Sequence, residues 1–421
     1  MAERAACLVF FVDTARSMGL TAPPSSSMEP MAMENRFSVR HVLLGLVFAC
    51  LATTLSAREP KFVSARTILD SSVLRGPGYE IGETVRIQDN RYVFNIRTEY
   101  GDVVAVGFPM LELRLREHQA IQNALAMSKE PLVLRGIIDS AKKTPAGAMT
   151  LLRDPLGAVA RIPRGVKGTI DSVINPLERR AGSSTRRQLA AAIGADPETR
   201  NPILDNALNH MTLRKGIGEA ATKIGVGMAV PGLGLLSTTE DIRRKVSQLG
   251  PKQIAADVQR ELLNLGVRPT LAAAFANADT YTSTEKLKYM ALLDRIRSVE
   301  GLDVLLQGAV NAKSEAQLLS QIQQVDLIAK MSARKPVKKL FAFHIPIAQL
   351  REGQYVGIAA VDIVQDTRVL EQCINDFRKK VPDQTAALLV TGNVSHSARE
   401  QIQRANIRLF EIAQSPQARR Q

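Results

Sequence analysis

The stretch Thr84-Val-Arg-Ile-Gln-Asp-Asn-Arg-Tyr-Val-Phe-Asn-Ile-Arg-Thr98 decides the fold of the first part of this chain. Its second half places Tyr92, Phe94 and Ile96 on one face and alternates them with other side chains, which is the period-two pattern of a half-buried strand. Asp89-Asn90 separates this strand from the shorter one before it, and both residue types favour tight turns. We therefore predict a β-hairpin.

A further short run, Val103–Val106, follows a second turn and extends the hairpin to a small antiparallel meander. From about Met110, apolar residues recur every three or four positions, which predicts an amphipathic helix. The residues on its apolar face are Leu111, Leu115, His118, Ile121 and Leu125. We interpret His118 as a residue at the edge of the core, because no second His or Cys lies at metal-ligand spacing. Residues 58–128 form this segment of β-hairpins plus a helix.

Residues 237–332 have the pattern of a helical bundle. Three ranges, Ile242–Leu249, Ile254–Leu265 and Leu287–Val299, show apolar residues at helical spacing, and Asp303–Gln307 and Leu318–Ile328 continue it. The carboxylates of this segment are single and spread along the helix faces. We predict that they form a solvated face and not an acid and base pair.

Residues 337–413 change to strands that alternate with helices, after a basic linker at Arg334–Lys339. Strands are predicted at Leu340–Pro346, Tyr355–Val364 and Ile407–Phe410, and the apolar run Ala386–Val390 is typical of a strand buried on both faces. A helix from Asp366 is predicted to bury Val369, Leu370, Cys373, Ile374 and Phe377. The order predicts a small α/β sheet with at least one parallel pair. The fold class is therefore α+β, with a disordered tail at 414–421.

The turn after the apolar strand is our candidate ligand site, because ligands of open α/β sheets bind beyond the carboxyl ends of the strands. Its residues are Thr391, Gly392, Asn393, Ser395 and His396. The alternative interpretation is a plain turn with a helix cap at Ser395 or Ser397. No catalytic triad is predicted, since His396 lacks a visible nucleophile and His344 is placed within a strand. Cys373 lies on an apolar helix face and is interpreted as a small core residue.

Residues 129–236 form a basic, glycine- and proline-rich amphipathic segment. Between 131 and 190 there are eleven basic and four acidic residues, a bias that favours contact with an anionic surface. The predicted contact residues are Arg135, Lys142, Lys143, Arg153, Arg161, Arg164, Lys167, Arg179 and Arg180. A set of short surface helices is the other interpretation. The glycine-rich run Gly216–Leu236 indicates either close helix packing or a hairpin at a membrane surface.

The segment Asn35–Ala57 has a short basic start, an apolar core at Val42–Leu55 and a small-residue exit, which is the pattern of a secretory signal peptide. Cleavage after Ala57 fits this pattern, and lipid attachment at Cys50 is the alternative. About 30 residues precede the signal, so we exclude residues 1–57 from the fold as leader and signal peptide. The interpretation predicts a periplasmic or secreted protein. Association with a membrane is a further expectation.

The net charge of +14 is unchanged when residues 1–57 are removed, since they hold four basic and four acidic residues. This charge favours anionic lipids or cell-wall polymers, and export argues against nucleic acid as a partner. Cys373 is the single cysteine of the remaining chain, which therefore forms no internal disulfide. No motif for a cofactor or metal is found, and none is predicted.

Two resemblances follow from the residues. The closing unit Leu388–Phe410 resembles the last strand, helix and strand of restriction-endonuclease-like domains, but the acid-x-Lys triplet that would bind their metal is missing near Asp362. From the hairpins to this unit, the chain is also similar to a family of exported proteobacterial proteins of uncharacterised function. That similarity implies export and an architecture of several parts, and it implies no active site.

These observations predict an exported, non-enzymatic protein of the cell envelope that contacts an anionic surface through its basic segment. Two alternatives stay open at this point. The α/β unit could be an enzyme or an inactive relative of one, and the glycine-rich run could belong to a membrane-damaging effector.

Overall fold

The computed structural model describes residues 61–128, 131–132, 134–136, 183–213, 240–381 and 386–412. The chain divides into two units, 1–58 and 59–421, and all described residues belong to the second unit. The predicted signal at 35–57, the glycine-rich run at 216–236 and the tail at 414–421 lie outside the described residues. The fold class α+β is confirmed.

An antiparallel sheet forms the first part of the described chain. Its strands are β1 (Phe62–Ser64), β2 (Arg75–Gly76), β3 (Tyr79–Ile81), β4 (Thr84–Gln88), β5 (Arg91–Thr98) and β6 (Gly101–Val106). Two short helices, α1 (Ala65–Ile68) and α2 (Ser71–Leu74), lie between β1 and β2. The order is β1-β4-β5-β3-β2, and β6 pairs with residues Val93–Thr98 of β5.

The central hairpin has the predicted register. Asp89 and Asn90 both have positive φ angles, 49° and 60°, as a two-residue hairpin loop requires. Tyr92, Phe94 and Ile96 are fully buried. The predicted strand boundaries and inward face are confirmed.

Helix α3 (Phe108–Met127) follows the sheet and begins two residues earlier than predicted. Gly107 starts it with a φ of 86°, a backbone conformation that favours glycine. His118 lies at the core edge as predicted: it is buried, and its Nε2 is 2.8 Å from the carbonyl oxygen of Pro77.

The middle of the described chain is helical. Its helices are α4 (Ser184–Ile193), α5 (Pro202–Leu213), α6 (Glu240–Gln248), α7 (Pro251–Asn264), α8 (Pro269–Ala276), α9 (Ser283–Asp294), α10 (Asp303–Val310) and α11 (Glu315–Arg334). Five of them coincide with the ranges predicted for the bundle. Helix α8 was not predicted, because it is short and rich in alanine and so has little periodicity. Thr282 and Glu285 begin α9 with a reciprocal capping box.

The last part of the chain forms an α/β unit. Its elements are β7 (Val337–Phe341), β8 (Ile347–Leu350), β9 (Tyr355–Ala359), β10 (Ile363–Val364), α12 (Arg368–Lys380), β11 (Ala386–Val390), β12 (Asn393–Val394), α13 (His396–Arg404) and β13 (Arg408–Glu411). Five strands form a sheet of order β13-β11-β9-β8-β7, and β10 pairs with β12. Strand β11 is parallel to both of its neighbours, so the prediction of a parallel pair is confirmed.

Strand β11 is buried along its whole length, as predicted. Ala387 and Leu389 face a core shared with α11, whereas Leu388 and Val390 face a second core that α12 and α13 cover. The sheet is thus the middle layer of three. The first of these cores also contains the inner face of β5 and residues of α6–α11, so it joins the amino-terminal sheet, the helices and one face of the last sheet.

Several predictions for the last unit are wrong in detail. The strand predicted at Leu340–Pro346 is misplaced: β7 is Val337–Phe341, and His344 lies in the bend before β8, a strand that was not predicted. Arg334–Lys339 is no linker, since its first residue ends α11 and its last three belong to β7. Val369 is 50% exposed, because it lies on the outer face of α12, opposite to Leu370 and Cys373.

Candidate functional site

The candidate site at the carboxyl ends of β9 and β11 is occupied by the hairpin of the amino-terminal sheet. The carbonyl oxygen of Asn90, in the β4–β5 turn, accepts hydrogen bonds from the backbone N–H groups of Asp362 (3.1 Å) and Ile363 (3.3 Å). These two residues follow β9 in the chain. We define the contact between the β4–β5 hairpin and residues 360–363 and 391–393 as the seam.

The carboxylate of Asp362 is the centre of the seam. It is fully buried and accepts hydrogen bonds from the backbone N–H groups of Tyr92 (2.9 Å) and Phe108 (3.4 Å). Oδ1 is 3.6 Å from Nη1 of Arg91. Burial raises the pKa of Asp362, and the Arg91 charge and the two N–H groups oppose that rise. One side chain therefore holds the first residues of β5 and of α3 against the last unit.

Arg91 extends the seam to a third element, helix α11. Its guanidinium donates hydrogen bonds to the hydroxyl of Ser320 and to the carbonyl oxygen of Ala360, and it lies 3.5 Å from Oε1 of Gln323. Burial lowers the pKa of Arg91, and Asp362 acts against this effect. Because guanidinium groups stay protonated at neutral pH, the Arg91–Asp362 contact is a buried ion pair.

Three of the five predicted ligand residues are part of the seam. Thr391 donates from Oγ1 to the carbonyl oxygen of Val361 at 2.8 Å. Asn393 donates from Nδ2 to the hydroxyl of Tyr92 at 3.1 Å. Gly392 lies so close to the backbone of residues 361–362 that a Cβ atom there would be 2.0 Å from the carbonyl oxygen of Asp362. Their contacts give all three residues a structural role.

The other two lie where helix α13 begins. Ser395 is the N-cap, and its hydroxyl accepts a hydrogen bond from the backbone N–H of Ala398 at 3.3 Å. His396 is exposed, with Nε2 at 3.0 Å from Oε1 of Glu400 in the next turn. The interpretation as a capped turn is thus correct for Ser395, and ligand binding at these five positions stays a prediction.

Of the nine predicted anion-contact residues, the described part of the chain contains Arg135. It is exposed, and its Nη2 lies 3.5 Å from Oε2 of Glu99. The other eight, from Lys142 to Arg180, lie outside the described residues. Two further basic residues of the same stretch, Arg186 and Arg187, are buried in α4, and Arg186 pairs with Asp205 at 2.7 Å. These two cannot contact an external surface in this structure.

A network of buried charges joins α3 to the helical region and was not predicted. Arg114 pairs with Glu117 at 2.8 Å and also with Glu315, the first residue of α11. Arg200 pairs with Glu315 at 3.2 Å and with Glu285 at 3.1 Å. Burial opposes the ionisation of Glu315, but the two arginines outweigh it and lower the pKa. Burial is the stronger influence at Glu117, where it raises the pKa.

Next to this network, Glu198 lies against the amino-terminal end of α9. Its Oε2 accepts a hydrogen bond from the backbone N–H of Ser283 at 2.9 Å. Burial, followed by the nearby charge of Asp196, raises the pKa of Glu198 to about 7. Burial also lowers the pKa of Lys288 to about 8. The cluster can bind or release protons near neutral pH, a property that is common at functional sites and also occurs in structural ion-pair networks.

Cys373 has the environment of a core residue, as predicted. It is buried in α12, and burial together with Asp376 raises the pKa of its thiol to about 11. The thiolate, which is the reactive form, is therefore scarce at neutral pH. Asp376 itself lies 2.7 Å from Nδ1 of His344.

Searches among protein-family models, curated proteins and solved structures find no match to this chain. Within the described ranges, no helix has the length and apolar character needed to cross a membrane. The same ranges contain no group of three or more His, Cys, Asp or Glu side chains arranged to hold a metal ion.

Proposed function

We propose that this chain is an exported, non-enzymatic protein of the cell envelope that binds an anionic membrane or cell-wall surface through its basic residues. The observation that carries the proposal is the separation of charge between interior and exterior. The chain has a net charge of +14, whereas three arginines of its interior, Arg91, Arg114 and Arg186, each face a carboxylate. The excess of positive charge therefore belongs to the surface or to the basic segment at 131–190.

Pairing of the interior charges is a requirement of folding, since an unpaired buried charge costs several kcal/mol. Arg91, Arg114 and Arg186 each have an acidic partner within the described chain. No such requirement explains an excess of exposed cations. An excess of this kind attracts anionic surfaces, and salt weakens the attraction within a Debye length of about 8 Å at physiological ionic strength.

Vesicle flotation of the unit 59–421 tests this proposal. The protein is mixed with vesicles of phosphatidylcholine alone, or of phosphatidylcholine with about 30% phosphatidylglycerol, at about 0.05 M and 0.5 M NaCl. We expect flotation with the acidic vesicles at low salt and its loss at high salt. A parallel pull-down on purified cell wall examines the second anionic surface. Absence of salt-sensitive binding to both surfaces would refute the proposal.

A variant with glutamine at the nine predicted contact positions, from Arg135 to Arg180, locates the binding. If the segment makes the contact, the variant should float less than the parent at low salt. Equal flotation of the two proteins would contradict the role of the segment while leaving the binding itself intact.

A further inference from the structure

One end of the five-stranded sheet collects exposed basic residues from several separate elements. The strand register defines this end: Val337 lies opposite Leu350, Tyr355 opposite Ala386, and Ala387 opposite Arg408. The first residues of β7, β9, β11 and β13 therefore lie side by side with the last residue of β8. Adjacent strands are spaced by about 4.8 Å, so this end is roughly 19 Å wide.

Three helices finish at the same end, because each of them leads into a strand that begins there. Helix α11 ends at Arg334 before β7, α12 ends at Lys380 before β11, and α13 ends at Arg404 before β13. Helix α11 covers one face of the sheet, and α12 and α13 cover the other. The helix ends thus widen the row of strand ends into a two-dimensional surface.

We name the exposed cations of this surface the basic end. They are Arg334, Lys335, Lys338, Arg351, Arg378, Lys379 and Arg408. None of the seven forms an ion pair with another described residue. Arg404, next to them, is neutralised by Glu400 at 2.7 Å. Among the described residues of this end, the exposed carboxylate without such a pair is Glu352, in the β8–β9 turn beside Arg351.

Helix stability accounts for part of this set. Cations in the last turn of a helix interact favourably with its dipole, which gives a local reason for Arg334, Arg378 and Lys379. No helix end explains Lys338, Arg351 and Arg408, which lie on strands and in a turn. The backbone N–H of Arg351 donates to the carbonyl oxygen of Pro336 at 3.0 Å, which keeps this turn close to the start of β7.

We propose that the basic end docks the protein on an anionic phospholipid surface. The proposal rests on the proposed function and assigns to it a contact surface outside the segment 131–190. The cations come from the ends of all three layers, a spread that suits contact with an extended charged surface. Tyr355, the aromatic residue among the described strand ends here, is half-buried, and its hydroxyl accepts a hydrogen bond from Nε2 of Gln349 at 3.0 Å, so its ring is poorly placed to stack on a sugar or base.

The seven cations lie within a few Debye lengths of each other, and each Lys or Arg near an acidic membrane strengthens partitioning about 5-fold. We therefore expect the basic end to make binding steeply dependent on salt and on the fraction of acidic lipid. Flotation should not occur with neutral vesicles.

The test compares two triple variants with equal change of net charge. The first is Lys338→Gln, Arg351→Gln, Arg408→Gln, which leaves the helix ends intact. The control is Lys61→Gln, Arg86→Gln, Lys313→Gln, which removes three exposed cations that lie outside the basic end and have no ion pair among the described residues. The urea midpoint of each variant establishes that it folds.

Binding is measured as the partition coefficient on phosphatidylglycerol-containing vesicles at about 0.1 M NaCl. We expect a loss of about 100-fold for the first variant, three cations at about 5-fold each, and less than about 5-fold for the control. Equal losses in both variants would overturn the proposal. If the parent binds acidic vesicles and the first variant binds them equally strongly, the role of the basic end is refuted while the proposed function stands.

If the parent does not bind acidic vesicles, the basic end fails in that assay. The proposed function then depends on the cell-wall pull-down, so the two failures are distinguishable. Soluble polyphosphate provides the last arm: loss of polyphosphate binding in the first variant, with vesicle binding unchanged, would assign the surface to a polymer and contradict the lipid proposal.

Discussion

The seam makes a quantitative prediction for Asp362→Asn. The substitution keeps the shape of the side chain and removes its charge, so Arg91, whose side chain is 14% exposed, is left without the carboxylate that faces it. Removal of one partner of a buried ion pair costs about 3 to 5 kcal/mol. We expect the lower end, about 3 kcal/mol, because the separation is 3.6 Å and burial already opposes the ionisation of Asp362.

Such a loss would be a large fraction of the 5 to 15 kcal/mol that is typical of a folded domain. The assay is urea unfolding at pH 7, followed by circular dichroism, of the parent, Asp362→Asn, Arg91→Met and the double variant. Each single variant leaves one polar partner unmatched, and the double variant removes both charges. We therefore expect the double variant to be more stable than the sum of the single losses by at least about 1 kcal/mol.

The matched control is Glu352→Gln, which removes an exposed carboxylate without an ion pair among the described residues. Its effect should stay within about 0.5 kcal/mol. A loss below about 1 kcal/mol for Asp362→Asn, or additive effects in the cycle, would refute the reasoning that the seam depends on this ion pair.

Three further predictions concern single positions. Burial raises the folded-state pKa of Glu198 from 4.5 to about 7, so its contribution to the free energy of unfolding is full below pH 4.5 and is lost as the pH rises through 7. The free energy of unfolding of Glu198→Gln, measured in urea, should therefore rise by about 3 kcal/mol relative to that of the parent between pH 4.5 and 7. A difference between the two proteins that stays constant with pH would contradict this. Gly392→Ala should cost about 3 kcal/mol or more in the same assay, because its Cβ would lie 2.0 Å from the Asp362 carbonyl oxygen; Gly250→Ala, with nothing within 4 Å, is the control, and equal losses would contradict the close approach. Cys373 should react with a thiol reagent slowly in the folded protein and rapidly in urea, since burial raises the pKa of its thiol to about 11; fast reaction of the folded protein would be inconsistent with that burial.

Local patterns in the sequence predicted the elements whose cause is local. The alternation through Tyr92, Phe94 and Ile96 gives the strand and its inward face, and Asp89-Asn90 gives the turn. The continuous apolar run Ala386–Val390 predicts a strand buried on both faces, and that is its position in the sheet. These features depend on side chains a few residues apart, which a linear pattern contains.

Features that depend on distant partners were missed. Arg91 and Asp362 are separated by more than 250 residues, and Arg114 and Glu315 are 201 positions apart. A charged residue is interpreted as exposed until its partner is known, so Glu285 and Glu315, two carboxylates of the buried network, were wrongly predicted to lie on a solvated face. The one local signal was Asp362 itself, an acidic residue within the apolar range Tyr355–Val364.

The candidate site illustrates the same limit. The end of the apolar strand was located correctly, but the sequence contains no sign that the β4–β5 hairpin would cover it. Val369 was assigned to the core because apolar residues crowd that part of α12, and it proved to be half exposed. Helix α8 and strand β8 are too short to show a clear period.

We propose that the protein leaves the cytoplasm and is held on the envelope by charge. Cell fractionation of a bacterial host that expresses the full chain tests it most directly, with the protein detected by an antibody against the carboxyl-terminal unit. We expect a polypeptide shortened to start near Arg58, retained with the envelope at low salt and released by about 1 M NaCl, where the Debye length falls to about 3 Å. Unprocessed polypeptide in the cytosolic fraction, or an envelope-bound form that salt does not release, would contradict it.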